Sequence, residues 1–111
     1  MATINWKVLG QAVMTGTPAS IYTAPTSTQA AVHAAQVWNP TAAPVTVDVY
    51  IVPPAGSAVD GTHVDRVIVP ATSSWPIYGL INQKLTAGYQ LFAAGNGATI
   101  TVTGAESVPT T

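Results

Sequence analysis

Two short runs of this chain alternate apolar and polar residues one by one, as a half-buried β-strand does. The first run has an apolar face and a polar face: Val45, Val47, Val49 and Ile51 against Thr46, Asp48 and Tyr50. The second run, residues 98–104, turns Ile100 and Val102 to one face and three threonines to the other. A period of two does not suit a helix and needs neighbouring strands whose faces match. The alternation therefore predicts sheets.

Turn residues cut the rest of the chain into pieces of strand length. Glycine- and proline-rich clusters recur between residues 16 and 61, and Gly95-Asn96-Gly97 has the composition of a hairpin turn. We predict five further strands between such clusters: Ile4–Met14, Ile21–Thr23, Thr62–Val69, Lys84–Leu85 and Tyr89–Ala93. Short strands at this regular spacing are typical of a sandwich or a barrel.

One segment, Gln29–Trp38, fits two interpretations. It is rich in alanine, which favours a helix, and Asn39-Pro40 ends it abruptly. It also lies between two turn clusters at the spacing of neighbouring strands, and it lacks the charged residues of a surface helix. We predict a strand here, with a helix as the alternative.

These elements predict an all-β fold, a compact antiparallel sandwich of two sheets and about eight strands. Its topology is expected to be a jelly roll or a related Greek key. A chain of 111 residues has room for one such domain. We divide it into an N-terminal strand or arm at 1–19 that pairs with a neighbour, a sandwich at 20–106, and a loose tail at 107–111.

Charge is scarce in this sequence. It has three basic and four acidic residues, so 6% of the chain is charged, against about 25% in an average soluble domain. Charged side chains keep the surfaces of monomers apart. The composition therefore indicates a component of an assembly, a homo-oligomer whose surface is partly covered by copies of itself or by a partner.

The same composition argues against several other partners and locations. The basic residues Lys7, Arg66 and Lys84 form no cluster that could neutralise several phosphates, so no nucleic acid is expected. No apolar run reaches the about 20 residues of a membrane helix, so no membrane is expected. The sequence starts at Met1 without the pattern of a signal peptide, and we expect synthesis in the cytoplasm. It contains no cysteine.

Few residues suggest a catalytic or metal-binding site. The sequence His63-Val64-Asp65 predicts an imidazole and a carboxylate on one face of a strand, close to Asp60. These groups are too few for a closed zinc site, and no nucleophile motif accompanies them. His33 lies in an apolar run, where a partly buried histidine is the plain interpretation and pH-sensitive assembly the alternative. We predict no catalytic, metal or cofactor site, and no enzyme.

Aromatic residues are the candidates for contact with a partner. Trp6, Tyr50, Trp75 and Tyr78 lie in a terminal strand, on a polar strand face or beside a proline. Exposed aromatic side chains of this kind anchor interfaces. The alternative for Trp75 and Tyr78 is that they cover the open end of the sandwich.

The chain resembles a family of proteins along residues 20–106. The matching features are Ile21-Tyr22-Thr23-Ala24-Pro25, the strand that ends at Asn39, the run from Pro44 to Pro53, and the stretch from Leu85 to Glu106. They are similar to the small all-β virion proteins of tailed bacteriophages. The chain departs from that family at one position, because Tyr89 follows Gly88 where an acidic residue commonly follows the glycine. The resemblance implies a single sandwich or jelly-roll domain with a structural role.

From this resemblance we expect a capsid decoration (cement) protein. It would lie on the capsid surface of the virion as a dimer or trimer, bind across major capsid protein subunits and stabilise the DNA-filled head. A small tail, baseplate or adsorption component is the alternative within the virion. A carbohydrate-binding module is the alternative from another class, since sugars also stack on aromatic rings beside polar side chains.

Overall fold

The structure, a computed structural model, describes residues 2–109. It consists of nine strands and two short 3-10 turns, Asp60–Thr62 and Tyr78–Leu80. The strands in chain order are β1 (Ala2–Val13), β2 (Ala19–Thr23), β3 (Gln29–Asn39), β4 (Val45–Val52), β5 (His63–Val69), β6 (Ser73–Pro76), β7 (Lys84–Leu85), β8 (Gln90–Ala94) and β9 (Thr99–Pro109). Within these residues no helix has the length and apolar character needed to cross a membrane.

The strands form two antiparallel sheets in jelly-roll order. The first sheet has the order β1-β9-β3-β6, with β7 also pairing β3, and the second has the order β2-β8-β4-β5. Most connections cross between the sheets; β4 and β5 are neighbours within the second sheet. This is the double-sheet arrangement of a jelly roll. The predicted all-β sandwich and its jelly-roll topology are confirmed.

The structure has nine strands where the sequence predicted about eight, because one edge strand is interrupted. Both β6 and β7 pair with β3, and the 3-10 turn Tyr78–Leu80 lies between them. β6 ends at Pro76, which has no N–H to donate to a strand partner. The two pieces together occupy the place of one jelly-roll strand.

The segment Gln29–Trp38 is a strand, and the helical alternative is wrong. β3 pairs with β9 on one side and with β6 and β7 on the other. The backbones of β3 and β9 lie close together, since a Cβ on Gly104 would overlap the carbonyl oxygen of Ala31. Pairing along both edges outweighs the helix propensity of alanine, which is a weak preference.

The core lies between the two sheets and follows the predicted alternation. Val45, Val47 and Val49 of β4 are buried, as are Ile100 and Val102 of β9, so those predicted faces are confirmed. Ile51 is partly buried and packs against the same cluster. The largest fully buried side chains come from both sheets and the turn between β6 and β7: Ile77, Leu80, Leu85, Leu91, Ile100, Val32, Val37, Val47, Val49, Val52, Val69 and Val102.

Two expectations about connections and ends are corrected. Gly95-Asn96-Gly97 is a turn, with Gly97 at φ 88° and the N–H of Ala98 donating to the Gly95 carbonyl at 3.0 Å. It is not a hairpin, because it joins β8 of the second sheet to β9 of the first. The predicted loose tail is part of β9 as far as Pro109, where it pairs antiparallel with the start of β1. Residues 110 and 111 lie outside the described part.

The N-terminal segment is an edge strand. β1 pairs with β9 of its own chain from Ala2 to Val13, with a bulge between Val8 and Gly10. Its other edge has no strand partner within the described residues. The expected pairing of this segment with a neighbouring molecule stays a prediction.

Candidate interaction surface

Half of the large apolar side chains exposed among the described residues lie on the outer face of the first sheet. Residues directly opposite one another on paired strands share a face, and the registers of β1, β9 and β3 define this one. Five large apolar side chains are exposed on it, four on β1 and one on β3: Ile4, Trp6, Val8, Val13 and Trp38. Trp6 keeps 70% of its surface exposed. Large exposed apolar side chains that share one face mark a candidate site for contact with another molecule.

This outer face is almost free of charge. Between the apolar side chains lie Thr99, Thr101 and Thr103 of β9. Lys84 of β7, which pairs with Ala31, is the one formally charged side chain on the face among residues 3–109, and it lies at the rim. Because its polar groups are uncharged, the face can be desolvated without burying ions.

A shallow groove runs along one end of this face. Small side chains, Ala31 and Ala105, form its floor, while Ile4 and Trp6 stand on one side and Lys84 on the other. Its volume is about 460 Å³. The ring of Trp6 packs against that of His33, with centroids 4.6 Å apart and planes tilted by 35°. His33 is thus exposed next to the groove, so the prediction of a partly buried histidine is wrong, and the alternative of pH-sensitive assembly stays untested.

Beneath the same end of the sheet lies a buried carboxylate. Glu106 on β9 faces inward and is 7% exposed. The Nζ of Lys7 lies 3.3 Å from its Oε1, and the hydroxyl of Tyr22 on β2 donates to its Oε2. Burial, followed by the hydrogen bond to Glu106 and the charge of Glu106, raises the pKa of Tyr22 well above its usual range. The contact between Lys7 and Glu106 therefore fixes which side of β1 faces inward.

The outer face of the second sheet has a different character. Oδ1 of Asp48 on β4 accepts from Nε of Arg66 at 2.6 Å and lies 3.0 Å from Nε2 of His63. The hydrogen bond and the charge of Asp48 raise the pKa of Arg66. The half-buried ring of Tyr50 lies 5.0 Å from that of His63, centroid to centroid. This cluster is a set of charges that neutralise one another.

The predicted shared face of His63 and Asp65 is wrong. A bulge between Val49 and Tyr50 in the β4–β5 pairing places Tyr50 opposite His63 and Val49 opposite Asp65. Asp65 therefore turns toward the core side, where its Oδ2 accepts from the N–H of Gly79 at 3.0 Å. Within the described chain, no three His, Cys, Asp or Glu side chains are placed to hold a metal ion.

The four predicted contact residues do not form one surface. Trp6 lies on the outer face of the first sheet and Tyr50 on that of the second. Trp75 pairs with Val37 on the inward side, and it is 44% exposed because β6 is an edge strand. Tyr78 is exposed in the 3-10 turn after β6. Their roles in binding stay predictions, and only Trp6 belongs to the apolar face.

Sequence reasoning missed the neighbours of Trp6 on that face. Ile4, Val8, Val13 and Trp38 are all exposed. The alternation Ile4-Asn5-Trp6-Lys7-Val8 was the available signal. Alternation identifies an apolar face but does not say whether the protein's own core or another molecule covers it.

Comparisons with known proteins give little information about this chain. No protein family and no curated protein matches it. It is similar to a solved structure described as "Bacillus endospore appendages form a novel family of disulfide-linked pili", with 19% sequence identity, 96% of this chain and 87% of that chain covered, and a TM-score of 0.47. This similarity is too low to transfer a role to the chain.

Proposed function

We propose that this protein is a structural component of an assembly, a capsid decoration protein of a tailed bacteriophage. It binds across neighbouring major capsid protein subunits on the outside of the virion and stabilises the filled head. The observation that carries this proposal is the nearly uncharged outer face of the first sheet, with five large apolar side chains exposed.

The physical chemistry of that face supports stable association. Interfaces gain affinity from buried apolar area and aromatic anchors, and their centres are depleted of charged residues. Trp6 and Trp38 provide two such anchors on one side of the sandwich. The jelly roll occurs in viral capsid proteins and also in lectins, so the fold alone does not favour one of these functions.

Light scattering of the purified protein, followed by co-sedimentation with purified empty capsid shells, tests the proposal. A dimer or trimer that saturates the shells at a fixed ratio to capsid subunits is the expected result. A stable closed ring of three or six that ignores the shells would instead support the tail or baseplate alternative.

A matched pair of variants tests which face binds. Trp38→Lys places a charge on the outer face of the first sheet, and Ile68→Lys places one on the outer face of the second sheet, where Ile68 is 63% exposed. We expect Trp38→Lys to lose shell binding and Ile68→Lys to retain it. The reverse result would contradict the assignment of the binding face.

A carbohydrate-binding module is the second candidate, favoured by the outer face of the second sheet. There Tyr50 and His63 place aromatic surface beside Asp48 and Arg66. Aromatic rings next to charged hydrogen-bonding groups are suited to sugars. A glycan array probed with the isolated protein tests this candidate, and specific binding that Tyr50→Ala removes would favour it over decoration.

A further inference from the structure

The four edges of the two sheets differ in how well they are protected against pairing with another strand. β6 and β7 are four and two residues long, and β2 has five residues and a bulge after Ser20. β5 carries Asp65 and Arg66. Short length, bulges and charges are the features by which proteins block edge strands. β1 is twelve residues long and carries one charged residue, Lys7.

The accessible part of the β1 edge is residues 3–8. Every residue of this stretch is exposed, including those on the inward side of the sheet. The bulge between Val8 and Gly10 ends this regular stretch, and just beyond it β2 packs closely on the inward side, since a Cβ on Gly10 would overlap the carbonyl oxygen of Ile21. A partner strand therefore has about six residues of open backbone, close to the length of an average strand.

We propose that this open edge pairs antiparallel with the β1 edge of a second copy of the chain, so that the first sheet continues across a two-fold axis. This dimer adds the oligomeric contact to the proposed function, and its biological role rests on that function. The partner in the homo-oligomer is then a second copy of the chain and the contact is the β1 edge, neither of which the composition specifies.

The sequence of β1 favours one register for this pairing, the one centred on Trp6. In a two-fold antiparallel pair one residue lies opposite its own copy. With Trp6 at the axis, Ile4 lies opposite Val8 of the other copy and Asn5 lies opposite Lys7 of the other copy. Cross-strand pairs of aromatic and β-branched residues stabilise a sheet, whereas like charges directly opposite destabilise it. A register centred on Lys7 would oppose two ammonium groups.

Charge favours a second copy over a strand from a different protein. Across residues 3–8 the one ammonium, that of Lys7, lies 3.3 Å from the carboxylate of Glu106 in its own chain. The edge therefore offers no net charge that would select an oppositely charged strand. It offers the row Ile4, Trp6 and Val8, which is complementary to itself in the register centred on Trp6.

Mixed disulfide cross-linking tests the register, because the chain has no cysteine of its own. Ile4→Cys and Val8→Cys proteins are oxidised separately and as a mixture, which keeps Trp6 in place. We expect a covalent dimer in the mixture only. Ile4→Cys mixed with Val13→Cys is the control and should stay uncrosslinked. A covalent dimer from Ile4→Cys alone, or none in the mixture, would overturn the register.

The oligomeric state tests the pairing itself. Trp6→Lys places two ammonium groups at the axis, whereas Val13→Lys changes a residue of equal exposure on the same strand and face, beyond the open edge. By sedimentation velocity we expect dimers for the unmodified protein and for Val13→Lys, and monomers for Trp6→Lys. A monomeric unmodified protein, or a dimeric Trp6→Lys, would overturn the proposal. Binding to capsid shells is measured separately. A dimer that does not bind the shells would contradict the role in capsid decoration but not the pairing of the β1 edges.

Discussion

The hydroxyl of Tyr22 donates a hydrogen bond to the carboxylate of Glu106 at 2.5 Å, and this bond joins the two sheets. Tyr22 lies on β2 at the edge of the second sheet, and Glu106 lies on β9 inside the first. The second oxygen of the carboxylate faces the ammonium of Lys7 on β1. A buried carboxylate is costly unless both its charge and its lone pairs are satisfied. Here side chains from β1 and β2 provide the charge and the hydrogen bond for the carboxylate on β9.

Removing the hydroxyl should weaken the fold. Tyr22→Phe deletes the donor and leaves Oε2 of Glu106 buried without it, so we expect the free energy of unfolding to fall by about 1.5–3 kcal/mol. Urea denaturation followed by tryptophan fluorescence measures the change. Tyr78→Phe is the matched control, because that ring is 69% exposed and its hydroxyl has access to water. Equal losses in the two variants would contradict a role for the Tyr22–Glu106 bond.

The same bond predicts a pH dependence in the alkaline range. The pKa of Tyr22 is raised in the folded protein, so the folded state holds its phenolic proton more tightly than the unfolded state. The stabilisation is complete below the unfolded pKa of about 10 and is lost as pH rises further toward the folded pKa. We expect the free energy of unfolding to decrease above pH of about 10.

Tyr22→Phe separates this effect from the titration of other groups. The variant should lose the part of the alkaline decrease that belongs to Tyr22, so its stability should fall less steeply above pH of about 10. Absorbance of tyrosinate gives an independent measurement, in which one of the four tyrosines should resist ionisation until the protein unfolds. Parallel stability curves for both proteins would show that Tyr22 is not the group responsible.

Substitution of Asn39 should lower the stability of the fold more than substitution of most other polar residues. Its side chain is fully buried, and its Nδ2 donates to the carbonyls of Ala43, Val69 and Pro70 at 2.9, 3.1 and 3.1 Å. Its Oδ1 accepts from the N–H and the hydroxyl of Thr41. These bonds fix the turn between β3 and β4 against the end of β5.

We expect Asn39→Ala to lower the free energy of unfolding by about 2–4 kcal/mol, because several backbone groups lose their partner. Asn39→Asp should cost more, since it turns a carboxylate toward three carbonyl oxygens. Denaturation in guanidinium chloride measures both. Gln36→Ala, on an exposed position of the same strand, is the control and should change stability by less than about 0.5 kcal/mol. A tolerated Asn39→Asp would mean that the turn rearranges.

Much of the sandwich could be predicted from the chain because strand alternation is a local property. Val45 to Val49 and Ile100 to Val102 show which side faces the core within a few residues. The strand at Gln29–Trp38 was harder to assign, since the alanines favour a helix until pairing on both edges is counted.

What could not be predicted depends on which distant strands meet. The Gly95-Asn96-Gly97 turn has the same local chemistry whether it joins strands in one sheet or crosses to the other. Likewise a single bulge in β5, at Val64, places His63 and Asp65 on different faces. The partners of Glu106 come from β1 and β2: Lys7 lies 99 residues away in sequence and Tyr22 lies 84 residues away.

Gly10 is required by close approach of the backbone. A methyl group there would overlap the carbonyl oxygen of Ile21, whereas a methyl group on Gly16 would meet no atom within 4 Å. We expect Gly10→Ala to be strongly destabilised, by about 1–3 kcal/mol or more, as for overpacking in a core. Gly16→Ala, the control, should be neutral or slightly stabilised. Thermal unfolding measures both, and a neutral Gly10→Ala would show that β2 can move away.

The last prediction concerns salt. Self-association through an uncharged edge should respond weakly to ionic strength, so the dissociation constant of the dimer should change by less than about twofold between about 0.05 and 0.5 M NaCl. The double variant Ile4→Lys/Val8→Glu places an introduced ammonium opposite an introduced carboxylate in the register centred on Trp6. Its dimer should dissociate as salt is added, because exposed ion pairs are screened. Sedimentation at several salt concentrations measures both proteins. Strong salt dependence in the unmodified protein would mean that charged groups outside the β1 edge hold the dimer together.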